Sequence, residues 1–478
     1  MRTTSQRPSS DARSISRSSH RGARAVALQA LLTLDQRPIF ADEVLDRLFD
    51  RAQLDARDRA LVLELVYGVL RHRTRLDWAI DRVSQKPVER LPAIVRTALR
   101  LGAYQLLHLD KIPASAAVHE TVALVKSVRR GPSMTWAGYV NALLRTLSRD
   151  PLSPSPQLDD PAASLSLQYS CPSWLIERWL GRYSATAVES LCRATLEIPP
   201  LTLRVNTLKR DLATLLRELQ DDGYAAEPCR ISPVGIVLTK CGPVGALPAI
   251  TKGHCYVEDE GAQLIPLLLD AKPGERILDA CAAPGGKSTH LAALMADRGE
   301  LVAVDRDPDR LARLRENCAR LDITMVTPVV GELTQDLSRG ARLPPNHWAS
   351  RPFDRMLLDA PCSALGVLRR HPEAKWRKNA SVVAQHQALQ LDLIERVSGL
   401  LRAGGVFVYS TCSTEPDENE EVIDQFCARH PEFHRESVAP WLPPNAGSLT
   451  TSRGDFSTHL NPHSMDVFYA ARLRKASA

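Results

Sequence analysis

The chain has 478 residues, 44% hydrophobic and 24% charged, a composition that fits an ordinary globular protein of two or three domains. Lys and Arg (61) exceed Asp and Glu (55) by 6, and the resulting pI of about 8.8 permits a polyanionic partner without requiring one. Ten cysteines, with no C-x-x-C pair and no Cys/His cluster at zinc spacing, exclude a disulfide framework and a structural zinc site and point to a reduced, cytoplasmic setting.

Residues 1–21 form an Arg- and Ser-rich tail without an apolar h-region, so the expectation is a disordered basic tail and no secretory signal. From 22 to 150 the pattern is helical. Val95, Leu99, Gly102, Leu106 and Leu109 recur at steps of three and four, and similar stripes elsewhere predict an all-α bundle of five to seven helices. No apolar run reaches membrane-spanning length; Leu61 to Leu70 is short and broken by Glu64. Arg71, His72, Arg73, Arg75, Lys126, Arg129 and Arg130 flank the stripes and read, one by one, as solvated helix faces. Pro151 to Pro156 is a linker by composition, and residues 165–250, with short helices and strand-like Leu201 to Val205 and Gly235 to Leu238, read as a small α+β module.

Residues 254–474 alternate strands and helices and predict a doubly wound α/β sheet, whose active residues sit at the carboxyl ends of its strands. Strands are expected near 276–279, 301–305, 325–330, 354–359, 405–410 and 465–471, the last closing the sheet antiparallel. The first strand breaks into Cys281-Ala-Ala-Pro-Gly-Gly-Lys287 and a helix, so small residues let backbone N–H groups at the positive helix end approach a polar ligand. The second strand ends in Asp305, 19 residues past Gly286, the spacing of an acid that takes ribose hydroxyls. A phosphate-binding loop would need glycine at Cys281, and the dinucleotide fingerprint is absent. An ordinary strand-to-helix turn is the bland reading. S-adenosylmethionine (SAM), which presents an adenosine and an amino acid and no triphosphate, fits better.

The fourth strand runs into Asp359-Ala-Pro-Cys362 and the fifth into Ser410-Thr-Cys412, so two cysteines fifty positions apart face one crevice. Two thiols beside a methyl donor suggest C5 methylation of a pyrimidine. C5 of cytosine becomes nucleophilic once a thiolate adds to C6. Asp359 is placed to assist at N3, and Cys362 is a candidate for the acid/base group that the later loss of the C5 proton demands. Spacing alone does not decide which cysteine attacks. Arg369 to Lys378, with five basic residues around Trp376, reads as an RNA contact.

ILDACAAPGGKSTHLA, VDRD, FDRMLLDAPCSALGVLRRHPEAKW and YSTCSTEPDENEEVI resemble the signature motifs of the Sun family of RNA cytosine-C5 methyltransferases, and the helical start resembles NusB. The resemblance spans roughly residues 22–474. It implies a NusB-like RNA-binding bundle, a small RNA-binding α+β module and a Rossmann-like SAM-dependent catalytic domain. It also implies Cys412 as nucleophile, Cys362 as the cysteine that assists product release, and Cys281, Ala282, Ala283, Pro284, Gly285, Gly286, Lys287, Asp305 and Asp359 as SAM contacts. Glu332 stands where the family usually has an adenine-binding Asp, and Val467 replaces a usual Gly. The implied partner is small-subunit ribosomal RNA, met before full assembly, by a cytoplasmic monomer with no metal and no membrane; a tRNA target or a non-catalytic antitermination-like module are the rival readings.

Overall fold

The computed structural model describes residues 22–127, 133–149, 158–240, 247–336, 347–458 and 465–477. The basic tail, Arg129, Arg130 and the Pro151 to Pro156 linker lie outside them. Two compact units result: one runs to Glu197 and also takes in Leu368–Arg377, and the other holds Ile198–Val367 with Lys378 onward.

The first unit is all-α: α1 (Ala23–Gln36), α2 (Ala41–Phe49), α3 (Ala56–Arg71), α4 (Arg73–Val83), α5 (Ala93–His108), α6 (Ala114–Lys126), α7 (Ser133–Arg149), α8 (Pro161–Tyr169), α9 (Ser173–Leu180) and α10 (Ala185–Ala194). Side chains start several of them: Asp55 caps α3 by accepting from Asp58 N–H, and Asp160, followed by Pro161, caps α8. The predicted stripe on α5 is its core face, with Val95 and Leu99 buried, and it approaches α3 so closely that a Cβ on Gly68 would stand 2.0 Å from the Tyr104 ring. Tyr104 donates to Glu64 across the same crossing.

The compact division falls at Glu197/Ile198, so α8 to α10, read above as the start of the small module, cluster with the bundle. Packing explains it: Cys171, Ile176, Trp179 and Cys192 are fully buried, and Ser170 Oγ accepts from Arg75 N–H at 3.1 Å. Segment Leu368–Arg377 belongs to this unit as well. Trp376 donates its indole N–H to Leu70 O (2.8 Å) and carries the Arg73 guanidinium over its ring, and Arg377 bonds Leu34 O. Glu373 accepts from Ala41 N–H (2.9 Å), while Lys375, 1% exposed, donates to Ser170 O (3.3 Å). Within the helical unit the segment is a strut, with Lys375 buried and Trp376 packed against α3 and α4, whereas Arg377 stays exposed. Arg71, which donates to Arg369 O, and Arg73, which lies over the Trp376 ring, are half-buried.

The second unit opens with an antiparallel sheet of β1 (Leu201–Val205), β2 (Ala225–Pro228), β3 (Gly235–Lys240) and β4 (Cys255–Val257), in the order β2-β3-β1-β4. Leu215 and Leu219 of α11 (Leu212–Asp221) pack on it, and α12 (Pro248–Thr251) leads into β4.

After α13 (Glu260–Leu269) comes the larger sheet: β5 (Arg276–Ala280), β6 (Glu300–Asp305), β7 (Val326–Val330), β8 (Phe353–Asp359), β9 (Leu401–Thr411), β10 (Phe433–Glu436), β11 (Phe456–Ser457) and β12 (Tyr469–Lys475). Its order is β10-β12-β9-β8-β5-β6-β7, parallel from β9 to β7, with β11 on β12. Helices α14 (Gly286–Leu294), α15 (Pro308–Leu321), α16 (Leu333–Asp336), α17 (Ala380–Ser398) and α18 (Glu420–Arg429) connect the strands. The last strand does pair antiparallel with β9, but it begins at Tyr469 and not at Met465, because Thr458 Oγ1 holds Asp466 O and Phe468 N–H outside the ladder. Strand order reverses between β5 and β8, which opens a crevice at their carboxyl ends, where such folds bind ligands. Among the described residues no helix is long and apolar enough to cross a membrane, and no group of three His, Cys, Asp or Glu is placed to hold a metal ion.

Candidate active site

The loop leaving β5 turns at Cys281, whose φ of 64° lies in the left-handed region. The sharp turn reserved for glycine is therefore made by a cysteine, against the steric preference of a Cβ-bearing residue. Gly285 (φ 102°) precedes α14 as its N-cap with no side-chain cap, leaving the first helical turn to a ligand. A Cβ on Gly286 would come within 2.7 Å of Glu258 Oε1. Ala282 and Ala283 of the loop are buried. Asp305, 5% exposed, accepts Ala283 N–H on Oδ2 (3.1 Å) and Asp307 N–H on Oδ1 (3.0 Å), so it joins β6 to the loop. Arg310 bonds the Ala283 carbonyl from α15.

Two residues that the sequence reading missed lie under this loop. Asp279 is fully buried in β5. Its Oδ2 accepts Ser288 Oγ (2.5 Å), its Oδ1 has no protein partner, and burial raises its pKa to about 7. An acid inside an otherwise apolar parallel strand was the available signal. Arg204, 2% exposed in β1, bonds Glu258 (2.7 Å) and Thr289 Oγ1 (2.8 Å), and so ties the small sheet to α14.

The thiols meet as expected from adjacent parallel strands. Asp359 of β8 lies in register with Ser410 of β9, and the loops beyond bring Cys362 Sγ and Cys412 Sγ to 3.3 Å. Gly366 N–H donates to Cys412 O (2.9 Å), and a Cβ on Gly366 would sit 2.3 Å from Val467 O, so only glycine allows this approach. Lys287 is no solvated first-turn residue: its Nζ donates to Asp359 Oδ2 at 2.7 Å, while Ser410 Oγ donates to Oδ1 at 2.8 Å. Burial opposes the Lys287 charge, but Asp359 outweighs it and raises the ammonium above its ordinary range, with a smaller contribution from Cys412. The Cys362 thiol is held well above its usual range, first by its hydrogen bond to Cys412 and then by burial. Cys362 therefore keeps its proton.

Burial likewise raises the Cys281 thiol, which is inert there. Glu332 begins the α16 turn, with Oε1 accepting Thr334 Oγ1 (2.9 Å), and its neighbour Gly331 donates to Asp305 O (3.1 Å), so the residue stands at the end of β7 next to the acid of β6.

A reversed strand order, an uncapped small-residue helix start and an acid at the end of the next strand define a Rossmann-like SAM-dependent methyltransferase. SAM fits the residues present: the glycine cradle is too tight for side chains, and Asp279 offers an unpartnered buried oxygen for a cationic ligand. Residues 266–474 match the family described as 16S rRNA methyltransferase RsmB/F, residues 21–149 the NusB family, and residues 171–245 the RsmF/B-like ferredoxin-like domain. The "Probable ribosomal RNA small subunit methyltransferase B" of Bacillus subtilis (strain 168) is 34% identical over 95% of this chain and 98% of its own. The "Ribosomal RNA small subunit methyltransferase B" of Pseudomonas putida is 36% identical over 89% and 92%. Among solved structures, PH0851 superposes with TM-score 0.78 at 26% identity over 95% of this chain and 99% of that one. The chain belongs to the ribosomal RNA small subunit methyltransferase B family.

Proposed function

We propose that the enzyme methylates C5 of a cytosine in small-subunit ribosomal RNA through a covalent bond from Cys412 to C6. The observation that carries this reading is the 3.3 Å thiol pair at two adjacent strand ends, beside the Lys287–Asp359 pair. Cys412 lies within the field of the Lys287 ammonium. Addition of the Cys412 thiolate to C6 moves electron density to C5, and Asp359 is the group for N3. Bound SAM supplies an electrophilic sulfonium methyl; Cys281 to Lys287, Asp279, Asp305 and Glu332 would hold it, with Asp305 on the ribose.

Cys362 then has a role that its environment times. Its raised pKa comes first from Cys412, and once Cys412 is consumed in a carbon–sulfur bond that partner no longer competes as a thiolate. With that influence removed the Cys362 pKa falls, so Cys362 more readily gives up its own proton and stands as the thiolate that accepts the C5 proton, after which the Cys412–C6 bond breaks.

The relatives' names favour ribosomal over transfer RNA, and the intact thiol pair argues against a non-catalytic module. The helical unit is assigned to RNA recognition, and the enzyme to the cytoplasm, as a monomer acting before full subunit assembly. The test uses labelled SAM with unmodified small-subunit RNA and tRNA. Cys412→Ala should abolish transfer and any RNA adduct, while Cys362→Ala should accumulate methylated RNA bound to the protein through denaturing electrophoresis. An adduct in Cys412→Ala instead would reverse the roles, and label in tRNA alone would replace the substrate.

A further inference from the structure

Glu418 ends the short turn Pro416–Glu418 before α18 and has no exposed surface. Its Oε1 accepts Ser363 N–H (2.7 Å) and Gln390 Nε2 (3.3 Å), and its Oε2 accepts the hydroxyls of both Ser363 and Ser413. Four hydrogen bonds fill the acceptor capacity of one carboxylate. Ser363 directly follows Cys362, and Ser413 directly follows Cys412. One buried side chain therefore grips the residue behind each thiol. Its own backbone is anchored, since Tyr409 Oη donates to Glu418 O at 2.6 Å. Gln390 extends the grip by donating to Pro361 O (2.9 Å), so Cys362 is fixed on both sides, and Asn419 Nδ2 holds Ser413 O (3.0 Å).

We infer that Glu418 is the positioning residue that sets the spacing of the two thiols. The inference rests on the reading of Cys412 and Cys362 as the reacting pair. Glu418 touches neither sulfur and is not catalytic itself. A carboxylate suits the task because Oε2 can accept two hydroxyl donors at once and so bind the two loops to a single point. The backbone bonds from Ala360 to Ser410 and from Gly366 to Cys412 align the strand ends, whereas Glu418 fixes the residue from which each thiol is aimed.

The test uses full-length Glu418→Ala, Glu418→Gln and Ser413→Ala. Four quantities are measured: SAM affinity by calorimetry, kcat and KM on unmodified small-subunit RNA, and the rate at which diamide oxidises Cys362 and Cys412 to a disulfide, followed by mass spectrometry. Disulfide formation needs the sulfurs to meet, so its rate reports their spacing without any turnover. The expected result for Glu418→Ala is unchanged SAM affinity, a kcat lower by roughly 10- to 100-fold, the scale of a 1 Å misplacement, and a parallel fall in disulfide rate. Glu418→Gln keeps an acceptor for Ser363 N–H and should restore part of both; Ser413→Ala removes one donor and should give a smaller parallel loss.

Unchanged kcat and disulfide rate, or a kcat loss matched by an equal loss of SAM affinity, would overturn the inference. If Glu418→Ala does not fold, Glu418→Gln and Ser413→Ala decide by the same criteria. RNA carrying 5-fluorocytosine separates this from the underlying reading, because fluorine at C5 cannot leave as a proton and the adduct is trapped. No Cys412 adduct in the wild type defeats the thiol reading, whereas an adduct that forms equally fast in the wild type and all three variants defeats the positioning role alone.

Discussion

Asp279 offers a test in which stability and cofactor binding move in opposite directions. Burial raises its pKa from 3.8 to about 7, the reverse of the usual direction for a carboxyl group in a fold. A folded-state pKa above the unfolded one means that the fold favours the protonated acid, so stability falls as pH rises from about 4 to about 7 and levels off above. The distance between the two values corresponds to about 4 kcal/mol at 1.36 kcal/mol per pH unit, an upper bound because Lys287 and Ser288 share the charge. Asp279→Asn keeps the shape and the Ser288 contact but cannot ionise. Without cofactor, its thermal midpoint should exceed that of the wild type at pH 8.5 and match it at pH 5.5. SAM carries positive charge, so the ionised carboxylate should favour it: wild-type affinity should rise between pH 6 and pH 8, and Asp279→Asn should bind more weakly and lose that dependence. Midpoints come from scanning fluorimetry and affinities from calorimetry. A variant whose midpoint tracks the wild type across this range, with SAM affinity unaltered, would refute the reasoning.

Asp305→Ala leaves Ala283 N–H without its acceptor and should weaken SAM binding by roughly 1–3 kcal/mol, the cost of an unsatisfied buried partner; unchanged affinity by calorimetry counts against it. Burial lowers the Lys375 pKa from 10.5 to about 8, so the fold opposes its charge and stability rises with pH between those values. Lys375→Met should therefore raise the thermal midpoint at pH 7, by up to about 3 kcal/mol of stability, with the gain gone by pH 11. Gly68→Ala drives a methyl into the Tyr104 ring and should cost about 1–3 kcal/mol, read as a lower midpoint for the helical unit with SAM affinity intact.

The parallel strands, the cofactor loop and the thiol pair were legible because each is a local pattern: an apolar run, small residues before a helix, a cysteine just past a strand end. What escaped depends on partners distant in sequence. Trp376 amid arginines has the composition of a base-stacking platform, yet its indole bonds Leu70, 306 positions away, and composition carries no trace of that contact. The left-handed turn at Cys281 was hidden for a different reason, since the surrounding loop imposes a backbone that the residue itself disfavours. Glu418 looked like one acid among several in Glu415-Pro-Asp-Glu-Asn-Glu-Glu421, and only its hydrogen bonds to Ser363 and Ser413 single it out. The α8 to α10 helices show how compact packing and family bounds can part: they pack in the helical unit, whereas the ferredoxin-like match takes in residues 171–245.

The helical unit draws on two separate stretches of the chain, and this sets how the molecule can be taken apart. Leu368–Arg377 enters that unit and leaves it again, so the backbone passes between the units at three places: after Glu197, after Val367 and after Arg377. A single protease cut at any one of them leaves two covalent links intact. A fragment ending at Glu197 would lack the segment that bonds Leu34 O, Leu70 O and Ala41 N–H, and a chain begun after the bundle would carry Lys375 and Trp376 with nothing to bury them. Dissection of this enzyme therefore calls for supplying the ten-residue strut to the N-terminal fragment as a separate peptide, whose binding can be titrated.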